Sequence, residues 1–211
     1  MEIALSEENF EKLYEDAGEA LDYFPNQEQF LFFHGISASY TGKYPQAIRS
    51  LEKIKKINSG DNELLSQVCA ELGTIYHRQG DFANSDLNFL KAIELTPEDP
   101  MILNNYAYYL SIRGDKLASA RQYIEKALKI SPGQPSYQDT YGWVLYQQGE
   151  YEKAADWIEK ALAAGESAVI LEHYGDALFK LGKRDEAVIQ WKKAIEKGAK
   201  NLNIETKLQG Q

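Results

Sequence analysis

Small residues return along this chain at a nearly constant step. They stand at Gly35, Gly73, Ala107, Gly142 and Gly175, separated by 38, 34, 35 and 33 residues. Seven positions after each comes a glycine: Gly42, Gly80, Gly114, Gly149 and Gly182. A second small residue follows five positions later, or six in the third copy, at Ala47, Ser85, Ala120, Ala154 and Ala187. Seven further on stand Ile54, Ala92, Ala127, Ala161 and Ala194, and Pro97 and Pro132 close two of the copies. A repeat of 33 to 38 residues built this way predicts stacked helical hairpins. The first small residue lets one helix approach its partner, and the glycine ends that helix because it takes a left-handed backbone without steric cost. The later small residues, seven apart, lie two turns apart on one face of the second helix. Proline then stops the hairpin.

The spacing divides the chain into a leading helix over 1–27, hairpin repeats over 28–65, 66–99, 100–134, 135–167 and 168–198, and a tail over 199–211. The fold class is therefore all-α: an α-α superhelix of about five helical hairpins plus a leading helix. The extra residue in Gly114-Asp115-Lys116-Leu117-Ala118-Ser119-Ala120 predicts a longer turn inside an otherwise unchanged third hairpin. The first copy departs most. It carries Ile54 where the others carry alanine and a longer connection through Asn58-Ser59-Gly60-Asp61-Asn62, so the repeat pattern determines its stacking on the second copy least. Phe10, Leu13, Ala17, Ala20 and Leu21, followed by Pro25, match a second helix of a repeat whose first helix is missing. Such a segment is either a cap or the remnant of a longer array. An unpaired apolar stripe seeks cover, which makes Phe10, Leu13 and Leu21 a candidate self-association surface for a homo-oligomer, unless Met1–Leu5 folds back over it. The polar tail, with Leu202, Ile204 and Leu208, is expected to close the array with a short helix or to fray.

The stretches Leu72-Gly73-Thr74-Ile75-Tyr76, Tyr141-Gly142-Trp143-Val144-Leu145 and Tyr174-Gly175-Asp176-Ala177-Leu178, each completed by its later alanine or serine, resemble the tetratricopeptide repeat (TPR) family. Asp139–Leu145 and Leu171–Leu178 are similar to the C-terminal repeats of longer bacterial members, some of them envelope lipoproteins. The resemblance implies a protein-binding solenoid whose first helices line an inner, concave surface. Carried over copy by copy, it places His77, Arg78, Asn104, Tyr108, Asp139, Trp143, Tyr146, Glu172, Asp176 and Phe179 on that surface as candidate partner contacts. Some members grip a partner's C-terminal carboxylate with a Lys/Asn/Asn/Lys/Arg set. The matching positions here read Phe32, Ile36, Glu71, Met101 and Asn105, so the basic members are absent and that mode is rejected.

Composition narrows the function classes. The 211-residue chain has a formal net charge of -9, which argues against nucleic acid as a partner. The charge is uneven: residues 1–30 hold nine acids and one base, whereas 182–200 hold six bases and three acids. The single cysteine, Cys69, permits no internal disulfide and falls at a core position. No apolar run is long enough for a bilayer, and Met1–Leu5 lacks the basic flank of a secretion signal. The compartment stays open between cytoplasm and, had a signal been removed, the periplasm or envelope. His34, His77 and His173 have no Cys or second His at metal-ligand spacing, and phosphate-loop and nucleophile-elbow motifs are absent. No cofactor, metal or catalytic set is expected. The sequence thus predicts a non-enzymatic scaffold that binds a protein or peptide. The alternative is an interaction or regulatory part of a longer enzyme or envelope-assembly protein whose chemistry lies outside this chain.

Overall fold

The computed structural model describes residues 7–57, 60–199 and 202–209. Among them every regular element is an α-helix, and the chain forms two compact units, 1–97 and 98–211. The first unit holds α1 (Glu7–Tyr23), α2 (Glu28–Tyr40), α3 (Tyr44–Ile57), α4 (Asn62–Arg78) and α5 (Phe82–Leu95). The second holds α6 (Pro100–Arg113), α7 (Leu117–Ile130), α8 (Pro135–Gln147), α9 (Tyr151–Ala164), α10 (Ala168–Lys180), α11 (Arg184–Glu196) and α12 (Leu202–Gln209). Five hairpins, α2–α3, α4–α5, α6–α7, α8–α9 and α10–α11, follow the leading helix α1.

Local chemistry sets the helix starts. The Asp61 carboxylate accepts the amide of Leu64, Asp99 accepts those of Met101 and Ile102, and Ser167 accepts that of Ile170. Each such cap satisfies donors the helix leaves orphaned and is worth about 1 kcal/mol. Pro100 and Pro135 occupy first turns, where a missing N–H costs nothing.

The small residues are explained by what faces them. A β-carbon at Gly142 would lie 2.5 Å from Ile158, and one at Gly175 would lie 2.5 Å from Trp191. In each hairpin a large residue sixteen positions on (Leu51, Phe89, Ile158, Trp191), or seventeen in the third (Ile124), is fully buried at this crossing. At the four glycines even the β-carbon of alanine would crowd it, whereas the third copy carries Ala107 at that position. The extra residue of the third hairpin sits in the turn after Gly114. There Lys116 takes a left-handed backbone, φ 47°, the sole non-glycine to do so among the described residues.

The stacking of the first hairpin on the second, which the repeat pattern left open, runs through Ile54. Ile54 is fully buried in one cluster with Leu31, Leu51, Val68, Leu72 and Ile75, so both hairpins share a core. The larger side chain supplies apolar contact where the other copies pack an alanine. The candidate self-association stripe is likewise mostly covered within the chain. Phe10 is buried and stacks on Tyr40 with ring centroids 4.2 Å apart, and Leu21 packs on the same core. Leu13 alone of the three keeps partial exposure without a core cluster around it. Met1–Leu5 lie outside the described residues. Cys69 is buried, and burial raises its thiol pKa, as for an inert core residue.

Candidate partner-binding face

In the second unit, three first helices each present a row of side chains at helical spacing. On α8 these are Asp139, Trp143 and Tyr146, spaced four and three apart along one face. On α10 they are Glu172, His173, Asp176 and Phe179, and on α6 Asn104 and Tyr108.

Asp139 is only 5% exposed and accepts from Nδ1 of His173, itself buried, at 2.9 and 3.0 Å. The two residues lie 34 positions apart, one repeat step. The pair fixes the imidazole so that it stacks on Trp143, centroids 4.1 Å apart and planes 13° from parallel. Trp143 also stacks on Tyr146 at 4.6 Å and 6°. Two stacking partners hold the indole in place. Its Nε1–H is buried with no acceptor, as are the side-chain oxygens of Asn104 and Gln138. Asn104 is 8% exposed, and its amide nitrogen donates to Asn105 at 3.3 Å. Buried polar atoms normally find partners, because each unpaired one costs about 1–3 kcal/mol. Burial, then the nearby Asp176 carboxylate, pushes the Tyr146 phenol up to about 12. Burial, then Asp139, raises Tyr108 as well. Both hydroxyls stay protonated donors at neutral pH.

Next to this column the carboxylates are engaged. Asp176 accepts from the Trp191 indole at 3.0 Å and from the Lys207 ammonium at 2.6 and 2.7 Å. Lys207 also reaches Glu172 at 3.3 Å and lies 5.7 Å from the centre of the Trp191 ring. Burial is the main influence on the Asp176 carboxyl and raises its pKa, while Lys207 pulls it back. Beside Lys207 opens a cavity of about 330 Å³, lined by Tyr146, Asp176, Phe179, Lys180, Trp191 and Lys207 itself.

Of the ten residues carried over from the resemblance, eight thus belong to the second unit. His77 and Arg78 end α4 in the first, where the His77 ring lies 5.3 Å from that of Phe82 and Arg78 is exposed. Three residues central to the site were not singled out by sequence. His173 and Trp191 carry a signal, since they stand one repeat after Asp139 and sixteen residues after Gly175. Lys207 lies outside every repeat and carries none. Among the described residues no group of three His, Cys, Asp or Glu side chains is placed to hold a metal, and no helix is long and apolar enough to cross a membrane.

Paired helices of this kind, with a glycine or alanine at each crossing, define a helical-hairpin repeat protein. Residues 66–99 and 88–122 match tetratricopeptide repeat models, and 114–194 match the model described as anaphase-promoting complex, cyclosome, subunit 3. The chain belongs to the tetratricopeptide repeat family. It is 27% identical over 137 residues to a TPR repeat-containing protein of Pseudomonas aeruginosa, covering 62% of this chain and 23% of that one. It is 33% identical over 116 residues to a TPR repeat-containing protein of Methanocaldococcus jannaschii, covering 54% and 20%. The chain therefore spans less than a quarter of the length of these relatives. Its fold superimposes on a chain of the anaphase-promoting complex hetero-tetramer Cut9–Hcn1 with a TM-score of 0.81 at 15% identity, covering 93% of this chain and 38% of that one.

Proposed function

We propose that this chain is a protein-interaction scaffold without catalysis of its own, and that the face formed by α6, α8 and α10 takes an extended segment of a partner protein. One observation carries this reading: Trp143 is held by stacking on both Tyr146 and His173, with a buried indole N–H that no acceptor meets. An unmet donor on α8 and the unmet side-chain oxygen of Asn104 on α6 suit the alternating C=O and N–H groups of an extended backbone. The stacked rings around it lose little freedom on binding. The family's fold and the assembly in which the Cut9–Hcn1 relative was crystallised support the same class of role.

Trp143→Phe tests it, because phenylalanine keeps an aromatic ring in the stack while removing the N–H and the part of the indole that carries it. Random dodecapeptides displayed on phage are panned against the immobilised chain, and the selected peptides are measured by fluorescence anisotropy. The variant is expected to bind them about 5- to 10-fold more weakly, the loss of one hydrogen bond to a buried donor. Peptides that bind both forms equally, or a selection that yields no binder, would end the proposal.

A further inference from the structure

The last described helix, α12, touches this face through the charge of Lys207. α12 is eight residues long, and isolated helices below about 12 residues are marginal, so it depends on docking. Its apolar hold centres on Ile204, buried against Leu171, Leu178 and Trp191, with Leu208 partly buried beside it. Lys207 adds a charged contact, reaching over to Asp176 and Glu172 on α10.

Those two carboxylates have poor access to water, with side chains 11% and 16% exposed. Uncompensated negative charge at such depth is costly, and a cation is the natural occupant. The walls suit an ammonium on an apolar stem: the Trp191 ring below it, Phe179 and Tyr146 at the sides, and room of about 330 Å³ adjoining. Lys207 fills the place with a flexible four-carbon stem, which can swing away while Ile204 stays seated.

We propose that Asp176, Glu172 and Trp191 form a lysine-ammonium subsite that Lys207 occupies in cis, so that the tail helix competes with a lysine of the partner peptide. This rests on the scaffold reading above and names one side chain its ligand carries. The contact is autoinhibitory. If Lys207 is seated nine-tenths of the time, the subsite is open for one-tenth, and the apparent Kd for a lysine peptide is about tenfold weaker than the intrinsic one.

The probe is a fluorescein-labelled decapeptide of alternating glycine and lysine, measured by anisotropy against the full chain. Lys207→Gln is expected to bind it about tenfold more tightly than the unaltered chain. Lys192→Gln makes the same change of net charge on the exposed side of α11 and is expected to stay within twofold. Lys207→Arg should stay near the unaltered chain. Adding Asp176→Asn to Lys207→Gln should abolish the gain. A second readout needs no variant: the Trp191 indole N–H resonance of the unaltered chain should shift as the probe displaces Lys207 from the shared Asp176. A Lys207→Gln variant that gains no more than Lys192→Gln, or an indole resonance that stays still at saturating probe, overturns the inference. If Trp143→Phe still weakens the selected peptides in that case, the scaffold reading stands without it.

Discussion

The two outermost helices perform the same task in different ways. Both α1 and α12 cover the flank of a hairpin, α1 in the first unit and α12 in the second. α1 has 17 residues, buries Phe10 and Ala17, stacks Phe10 on Tyr40 and lays Tyr14 on His34 at 4.5 Å. Its ion pair, Lys43 with Glu11, lies at an exposed rim, where such pairs are worth little. α12 has eight residues, buries Ile204, and places its lysine on two largely covered carboxylates. α1 is therefore held by apolar area, which salt does not screen, and α12 largely by charge. A helix held by area is a permanent part of the core. A short helix seated on Ile204 and Leu208 and on the ion pairs of Lys207 can leave while the core survives.

The largest effect should come from cutting the apolar holds. Phe10→Ala is expected to cost the first unit about 3–4 kcal/mol, the usual penalty for emptying a buried aromatic site. Ile204→Ala should lose less, because α12 can detach, and detachment caps the loss at its own docking energy. Urea unfolding followed by circular dichroism gives the first number. Hydrogen exchange read by mass spectrometry gives the second, with protection lost in α12 and kept in α10 and α11. Equal global destabilisation by the two variants would mean that α12 is as integral as α1.

A smaller effect comes from salt. Between about 0.1 M and 1 M the screening length falls from ~10 Å to ~3 Å. Exchange protection of α12 should then fall severalfold, while that of α1 holds or rises, since apolar burial is not weakened by salt. Parallel behaviour of the two helices would remove the contrast between area and charge.

The hairpins were legible in the sequence because their spacing is set by steric need. A glycine must face Ile158 or Trp191 wherever two helices cross closely, and this requirement recurs with the repeat. The inner face of α8 was legible for the same reason, through helical periodicity from Asp139 to Tyr146. What was not legible is which groups are already engaged. Asp139 looks like an open carboxylate until His173 is seen beside it, and Asp176 until Lys207 is. Both partners come from other helices, and the second comes from outside the repeat. Phe10 teaches the converse: an apolar stripe says that something covers it, and here Tyr40 of the same chain does.

The smallest effect compares two half-buried carboxylates with different partners. Glu71 on α4 accepts from the Ser39 hydroxyl of α2, a neutral partner, whereas Asp176 accepts from an ammonium. Burial dominates at Glu71 and raises its carboxyl, with the Ser39 hydrogen bond and then Arg78 opposing. A carboxyl whose folded pKa exceeds its unfolded value contributes stability that is fully present below the unfolded pKa. That contribution is lost as pH rises through the folded pKa. Glu71→Gln has the same shape, can still accept from Ser39, and carries no charge. The two proteins should therefore be equally stable below the ordinary value of 4.5. Above it the glutamine variant should become the more stable, with the gap opening through the raised pKa and then flat to neutrality. Asp176→Asn should behave otherwise, because removing that charge also strips Lys207 of its nearer partner and offsets the relief. Urea midpoints from pH 4 to 7 measure both. A Glu71→Gln variant that grows less stable toward neutral pH would show that Glu71, like Asp176, depends on a cation, and that the two units do not differ in this respect.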